Sequence, residues 1–244
     1  MKLPNFAYEN RLWKKGYNFV AGLDEVGRGC FAGPVVCGCV VFPKWVTEDQ
    51  LSVGGIRIDD SKRLTKNQRE IAAKWIKDNS IGWGVGIGSV SKINKLGITK
   101  TTNFAFRSAL KNVQVSMNKR VEYLLIDAFY IPYIRGLRMP IKRVRNSKAK
   151  KIFLKNTYFS ANQHAVIDGD EKIVSVAAAS ILAKVYRDRL MTNLSKLSSY
   201  KKYNWDKNKG YGTKTHRDTI RKFGVTKYHR TKFVETFLSK SYNL

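Results

Sequence analysis

Short apolar runs alternate along the chain with longer stretches in which apolar residues recur every three or four positions, a rhythm that predicts strands and helices in turn. Phe19 to Leu23 and Val35 to Phe42 have strand character, and the segment between them, punctuated by Gly27, Gly29, Gly33 and Pro34, has to turn sharply. Thr65 with Gln68 three residues on is a capping-box signal, and Ile71, Ala72, Trp75 and Ile76 then keep helical spacing up to Asn79. From Ile81 to Val90 glycine alternates with Trp83, Val85 and Ile87, which favours a strand because repeated glycines weaken a helix. Phe104, Ala105, Ser108, Ala109 and Val113 form one face of a helix. Tyr123 to Ile126 reads as a buried strand ending at Asp127, and Ala165 to Ile167 as another that leads into Asp168-Gly169-Asp170. Val174 to Leu194 is the longest helix, and its Ala177, Ala178, Ala179, Ser180 and Ala183 permit close packing on a sheet. This mixture over 244 residues predicts an α/β domain.

Composition adds a partner class in physical terms. With 46 Lys and Arg against 18 Asp and Glu, the formal net charge is +28, while 43% hydrophobic residues supply a core and exclude a disordered basic tail. Such charge implies a polyanionic partner, nucleic acid before an acidic membrane surface. It is concentrated twice. Arg135 to Lys155 holds nine basic residues and no acid, and Lys201 to Leu244 holds 12 basic and three acidic residues interleaved with Tyr203, Trp205, Tyr211, Phe223, Tyr228 and Phe233. Basic charge mixed with aromatics can grip a phosphate backbone and stack on sugars or bases, or the aromatics can form the core of a small helical appendage. No apolar run approaches the roughly 18 residues of a membrane span, and the first residues lack the apolar stretch of a signal peptide. The expectation is a soluble, cytoplasmic protein without a membrane partner. Cys37 and Cys39, two apart in an apolar run, are expected to be small core residues.

Against this background the few carboxylates stand out. Asp24 and Glu25 follow the first strand, Asp127 ends another, and Asp170 closes a turn before the longest helix. Acids at strand ends and a helix start can converge at one sheet edge, where α/β folds place their sites. Four convergent carboxylates repel one another unless cations hold them, and Mg²⁺, a hard ion that prefers oxygen, is the natural candidate. A pair of such ions suits phosphodiester hydrolysis. Singly, each acid could instead cap a turn or helix. Adjacent Asp24 and Glu25 face opposite sides of a regular strand, so both reach one site only if the strand bends or ends there.

The run Ala21-Gly22-Leu23-Asp24-Glu25-Val26-Gly27-Arg28-Gly29, continued by Ala32-Gly33-Pro34-Val35-Val36, resembles the signature of type 2 ribonuclease H, or ribonuclease HII. Further blocks keep the family's order: Asp60-Ser61-Lys62, Leu125-Ile126-Asp127, Gly169-Asp170, Ala178 to Lys184 with Arg187-Asp188-Arg189, Lys209 to Thr213 with His216, and His229-Arg230 with Phe233. The resemblance implies a ribonuclease H-like mixed sheet flanked by helices, with a catalytic domain over 1–197 and a smaller basic helical segment over 198–244 that clamps the substrate. It implies that Asp24, Glu25, Asp127 and Asp170 are catalytic and bind Mg²⁺ or Mn²⁺, two ions during catalysis. It further implies hydrolysis of the RNA strand of RNA–DNA hybrids and nicking 5′ of single ribonucleotides in duplex DNA, as in ribonucleotide excision, leaving 3′-hydroxyl and 5′-phosphate ends. Gly27, Arg28 and Gly29 match the tripeptide that reads the 2′-hydroxyl through its backbone, and Tyr211 the tyrosine that packs on the sugar after the ribonucleotide. Ser61, Lys62, Ser180 and Lys184 match positions at or near backbone phosphates. The resemblance also suggests a monomer, and His216 and His229 are expected to be structural.

Some positions depart from the family pattern: Cys30 where proline is usual, Asp168 for a lysine, Asn208 for a histidine, Ala128 for a glycine, and the basic stretch 135–155 as an insertion. Two other functions remain open on the residues alone. One is a non-catalytic nucleic-acid-binding protein, and the other a ribonuclease H-like nuclease acting on DNA junctions.

Overall fold

A computed structural model describes residues 3–53, 55–129, 131 and 162–240. The basic stretch from Arg135 to Lys155 lies outside the described residues.

Helix α1 (Ala7–Lys14) precedes β1 (Val20–Val26) and β2 (Val35–Val41), and a small hairpin, β3 (Ser52–Val53) and β4 (Ile56–Arg57), leads to α2 (Lys66–Asn79). Then come β5 (Gly82–Gly88), α3 (Val90–Leu96), α4 (Ile98–Met117), β6 (Tyr123–Asp127) and β7 (Gln163–Val166). The turn α5 (Gly169–Lys172) and the long α6 (Val174–Ser195) follow, and four short helices close the described chain: α7 (Ser198–Lys201), α8 (Trp205–Asn208), α9 (Lys214–Phe223) and α10 (Thr231–Lys240). The five long strands form one mixed sheet in the order β5-β2-β1-β6-β7. β1 runs antiparallel to β2 and parallel to β6, so the carboxyl ends of β1, β6 and β7 share one edge.

Helices cover both faces. On one, α4 packs Ala105, Phe106, Ala109 and Val113 against Ala21, Leu23, Cys37 and Cys39, so the two cysteines are core residues as expected. On the other lie α6 and α2. The small residues of α6 work together with glycines of the sheet. A Cβ on Gly22 would come within 2.1 Å of the Ser175 carbonyl carbon, and one on Gly38 within 2.1 Å of the Ala179 oxygen. The helix backbone thus rests directly on the strands. Gly38→Ala should therefore cost stability by about 1–3 kcal/mol through overpacking, read as a lower urea midpoint at unchanged slope.

Local boundaries differ from the sequence pattern where tertiary contacts decide them. β1 continues through Asp24 and Glu25 to Val26 because β2 pairs with it over that length. β5 stops at Gly88, and Ser89 turns to cap α3, accepting a hydrogen bond from the Lys92 amide. β7 ends at Val166; Ile167, expected inside a strand, is 72% exposed in the turn that carries Asp168 at φ 53°.

Helix α1 lies outside the elements that the sequence pattern predicts. It places Glu9 at the start of α6, where its Oε1 accepts from the Ser175 amide at 3.0 Å and the Ser175 hydroxyl at 2.7 Å. Its Oε2 is buried without a hydrogen-bond partner, and burial pushes the carboxyl up to about 7.

The C-terminal helices pack around Tyr203, Trp205, Ile220 and Val234, joined by Ala32 from the loop after β1 and Met191 from α6. Tyr203 and Trp205 are thus core aromatics, whereas Tyr211 and Phe223 remain on the surface. Among the described residues no helix is long and apolar enough to cross a membrane.

Candidate active site

The edge shared by β1, β6 and β7 collects the acids. Leu23 and Ile126 are register partners on parallel strands, so Asp24 and Asp127, one residue on in each, are neighbours across the sheet. The β1 backbone stays regular, and its two acids leave on opposite faces. Asp24 is hydrogen-bonded to Ser180 on the α6 side, while Glu25 lies opposite Cys37 on the α4 side and pairs with Arg28 at 3.2 Å. β1 does not bend at these two residues, and Asp127, at the end of β6, lies within electrostatic reach of both. Asp127 Oδ1 accepts the Gly169 amide at 2.7 Å, which holds α5 against β6 and brings Asp170 to the same edge. Asp170 lies inside α5 rather than capping the longest helix, and it pairs with Lys62 at 3.2 Å.

Every one of these acids is shifted toward its neutral form. Burial, then Glu25, and also Asp127 and Asp170, push Asp24 well above the usual carboxylate range against the opposing Ser180 hydrogen bond. Burial and Asp127 push Glu25 up to about 7 despite Arg28. Asp127 and Asp170 are raised chiefly by burial, opposed by the Gly169 amide and by Lys62 respectively. Mutual repulsion in a partly desolvated patch costs free energy that a cation would relieve.

A fifth carboxylate belongs here. Asp60 is buried, accepts the Lys62 amide at 3.0 Å, lies 3.8 Å from the Lys62 ammonium, and raises both Asp127 and Asp170. The adjacent pair Asp59-Asp60 in so acid-poor a chain was the available signal. Ser61 and Ser180 are both buried, with their hydroxyls 3.0 Å apart, so Ser180 links Asp24 to the Asp60–Lys62 loop. Lys62 presents a side chain that is 77% exposed, whereas Lys184 is paired with Asp188 at 2.9 Å.

The loop from Gly27 to Pro34 borders the acids. Gly27 takes φ +89°, and a Cβ there would lie 2.1 Å from Arg187 Nε, so only glycine fits. Gly29 is open to solvent. The Lys209-Gly210-Tyr211-Gly212 segment lies flat on this loop, where Gly210 O accepts the amides of Phe31 and Ala32 at 2.8 and 3.1 Å. Cys30, in place of the usual proline, is hydrogen-bonded to the Tyr211 hydroxyl, and Tyr211 itself is 41% exposed. Asn208, in place of the common histidine, braces the segment by donating to Tyr203 O at 2.7 Å and accepting the Gly210 amide at 2.8 Å. Ala128 adopts φ 41°, the left-handed conformation for which the family's frequent glycine is suited. Asp168 is exposed beside Lys172 and adds a further repulsion on Asp127.

His216 and His229 form a buried structural network. His229 Nδ1 accepts the Thr226 amide at 2.9 Å, so its Nε2–H donates to His216 Nε2 at 3.2 Å, which also accepts the Trp205 indole at 3.1 Å. His216 Nδ1–H in turn donates to Tyr211 O at 2.8 Å. Burial lowers both imidazoles, His229 to about 4, which keeps them neutral.

The donor chemistry of the acidic edge fits a hard divalent cation. All its ligating groups are oxygens, and Glu25 Oε2 is buried without a hydrogen-bond partner. Among the described residues no three of the acids form a group that could chelate an ion as they stand; Glu25, Asp170 and Asp127 are bonded to Arg28, Lys62 and the Gly169 amide.

The family model described as Ribonuclease HII matches residues 21–236, a span that contains every residue of this edge and most of the C-terminal segment packed beside it. The chain belongs to the ribonuclease HII family. A ribonuclease HII from Caldanaerobacter subterraneus subsp. tengcongensis is 39% identical over 231 residues, which cover 95% of this chain and 80% of the relative. The ribonuclease H2 of Pyrococcus horikoshii superposes with a TM-score of 0.62 at 23% identity, covering 90% of this chain and 98% of that one. Bst ribonuclease HIII, solved in complex with Mn²⁺, gives 0.56 at 18% identity over 93% of this chain and 71% of its own. These two likenesses establish the ribonuclease H fold, and the sequence relatives place the chain with type 2.

Proposed function

We propose that this ribonuclease HII is a metal-dependent endoribonuclease that hydrolyses the RNA strand of RNA–DNA hybrids. It also nicks 5′ of a single ribonucleotide in duplex DNA, leaving 3′-hydroxyl and 5′-phosphate ends, and acts as a cytoplasmic monomer in ribonucleotide excision. The observation that carries the reading is the gathering of Asp24, Glu25, Asp127 and Asp170 at one sheet edge beside the Gly27–Pro34 loop, on a chain of net charge +28.

Asp24, Glu25, Asp127 and Asp170 are the residues that would hold Mg²⁺ or Mn²⁺, two ions during catalysis, and the ions would supply Lewis acidity toward water and the reacting phosphate. Ser180 orients Asp24, and Lys62 orients Asp170. Lys62 also reaches outward to meet the substrate backbone, with Ser61 beneath it and Lys184 further along α6. The backbone of Gly27, Arg28 and Gly29 meets the ribose 2′-hydroxyl, the group that separates RNA from DNA. Arg28 keeps its side chain on Glu25 and over the Phe129 ring, which leaves recognition to its main chain. Tyr211 packs on the following sugar. Residues 1–197 supply the catalytic unit and 198–244 clamp the substrate.

The test is incubation with Mg²⁺ or Mn²⁺ and a DNA duplex carrying one ribonucleotide, beside a continuous RNA–DNA hybrid and an all-DNA branched duplex. The first two should be cut and the third left intact. With Tyr211→Ala, the loss should be about tenfold greater on the single ribonucleotide than on the hybrid, the low end of the roughly 1–3 kcal/mol that an aromatic contributes by stacking on a base. Cutting of the branched DNA alone would reverse the assignment.

A further inference from the structure

Arg187 and Arg230 are both fully buried arginines, and neither touches a carboxylate in the described contacts; their guanidinium groups are spent on main-chain carbonyls. Arg187 donates to Pro34, Ala32 and Lys209 at 3.0, 3.0 and 2.8 Å, joining the far end of the loop to the segment that carries Tyr211. Arg230 donates to Gly27 at 2.7 Å, to Arg28 at 2.6 Å and twice to Gly33 at 2.8 and 3.0 Å. The same loop receives main-chain bonds from the C-terminal segment, with the Gly33 amide on Tyr228 O and the Arg230 amide on Phe31 O, each at 2.8 Å.

The consequence follows from peptide geometry. In a trans peptide the N–H of one residue points opposite to the C=O of the residue before it. Because the Gly27 and Arg28 carbonyls are drawn inward onto Arg230, the amides of Arg28 and Gly29 are turned outward. That outer side is open: Gly29 is exposed, and a Cβ there would meet nothing within 4 Å. A loop held only at its ends could rotate these peptides; a planar guanidinium with its fork of donors fixes both at once.

We propose that Arg230 is a positioning residue for ribose recognition: it orients the Arg28 and Gly29 amides toward the 2′-hydroxyl, so that the C-terminal segment sets the sugar specificity of the active site. This rests on the reading that the Gly27-Arg28-Gly29 backbone meets that hydroxyl. Arg230 does not touch substrate, and it acts through the loop.

The test measures binding to two duplexes that differ only in one 2′-hydroxyl, a single-ribonucleotide duplex and its all-DNA counterpart. It is made in an Asp24→Asn background so that bound duplex is not cut. The Arg230-competent protein should prefer the ribonucleotide duplex by about tenfold, the equivalent of one ordinary hydrogen bond. Arg230→Gln and the charge-conserving Arg230→Lys should reduce that preference to about twofold or less while all-DNA affinity stays within about twofold. A merely structural role would lower both affinities together and keep their ratio, which overturns the proposal. Absence of any preference before Arg230 is changed would instead overturn the reading of the loop. Amide hydrogen exchange on the protein with Arg230 intact gives an answer even if the variants do not fold. Phe31, Ala32 and Gly33 should be protected in the free protein, while Arg28 and Gly29 exchange quickly and become protected with the ribonucleotide duplex but not with all-DNA. Protection of Arg28 and Gly29 in the free protein overturns the proposal.

Discussion

Asp24→Asn should reduce cleavage of the single-ribonucleotide duplex by about a thousandfold or more, as loss of several kcal/mol of transition-state charge stabilisation requires. Affinity for the uncut duplex should change little, because Asp24 is buried and faces Ser180 rather than the surface. The same substitution should raise the melting temperature in metal-free buffer. Asp24 is the most encumbered acid of the edge, desolvated and repelled by Glu25, Asp127 and Asp170, and a neutral isostere removes that cost. Single-turnover cleavage and calorimetry on one preparation check both halves. Full cleavage by the variant would remove Asp24 from the chemistry, and an unchanged or lower melting temperature would show that repulsion is not what strains the edge.

The second large effect concerns Glu9, which is bonded to Ser175 at the start of α6. Its folded-state value of about 7 lies above the ordinary 4.5, so the folded protein holds a proton that the unfolded chain has already released. Stability from this group is fully present below the unfolded value and falls as pH rises toward the folded one. The shift corresponds to about 3 kcal/mol lost between roughly pH 4.5 and 7. Glu9→Gln keeps an acceptor for the Ser175 amide and hydroxyl and cannot ionise. Its stability at pH 8 should exceed that of the parent by about that amount, with the difference vanishing near pH 4. Urea unfolding at several pH values, compared between the two proteins, isolates Glu9 from the acids of the active site. A parallel pH profile in both would show that Glu9 carries no part of the dependence.

The two cases mark how far local reading reaches. Asp24, Glu25, Asp127 and Asp170 stood out because each adjoins an apolar strand or a helix start in a chain with few acids, and the strands themselves follow from apolar runs of the right length. Boundaries at β1, β5 and β7 shifted because pairing with a neighbouring strand, or its absence, decides where a strand ends. The aromatics of the C-terminal segment looked alike in sequence. Tyr203 and Trp205 became core and Tyr211 stayed on the surface only through packing against Ala32 and Met191.

By itself the sequence determined the alternation of strands and helices, the strongly basic surface, the four acids and, through ordered motifs, the family. Those are properties of neighbours along the chain, and periodicity, charge and spacing report them directly. Only the tertiary structure decided what Glu9, Asp60, Arg187 and Arg230 do. Arg230 counts as one more cation in a basic tail until folding buries it against Gly27, 203 residues away. A buried arginine must satisfy its donors, and which carbonyls it finds depends on chain closure over that distance, which no local pattern encodes.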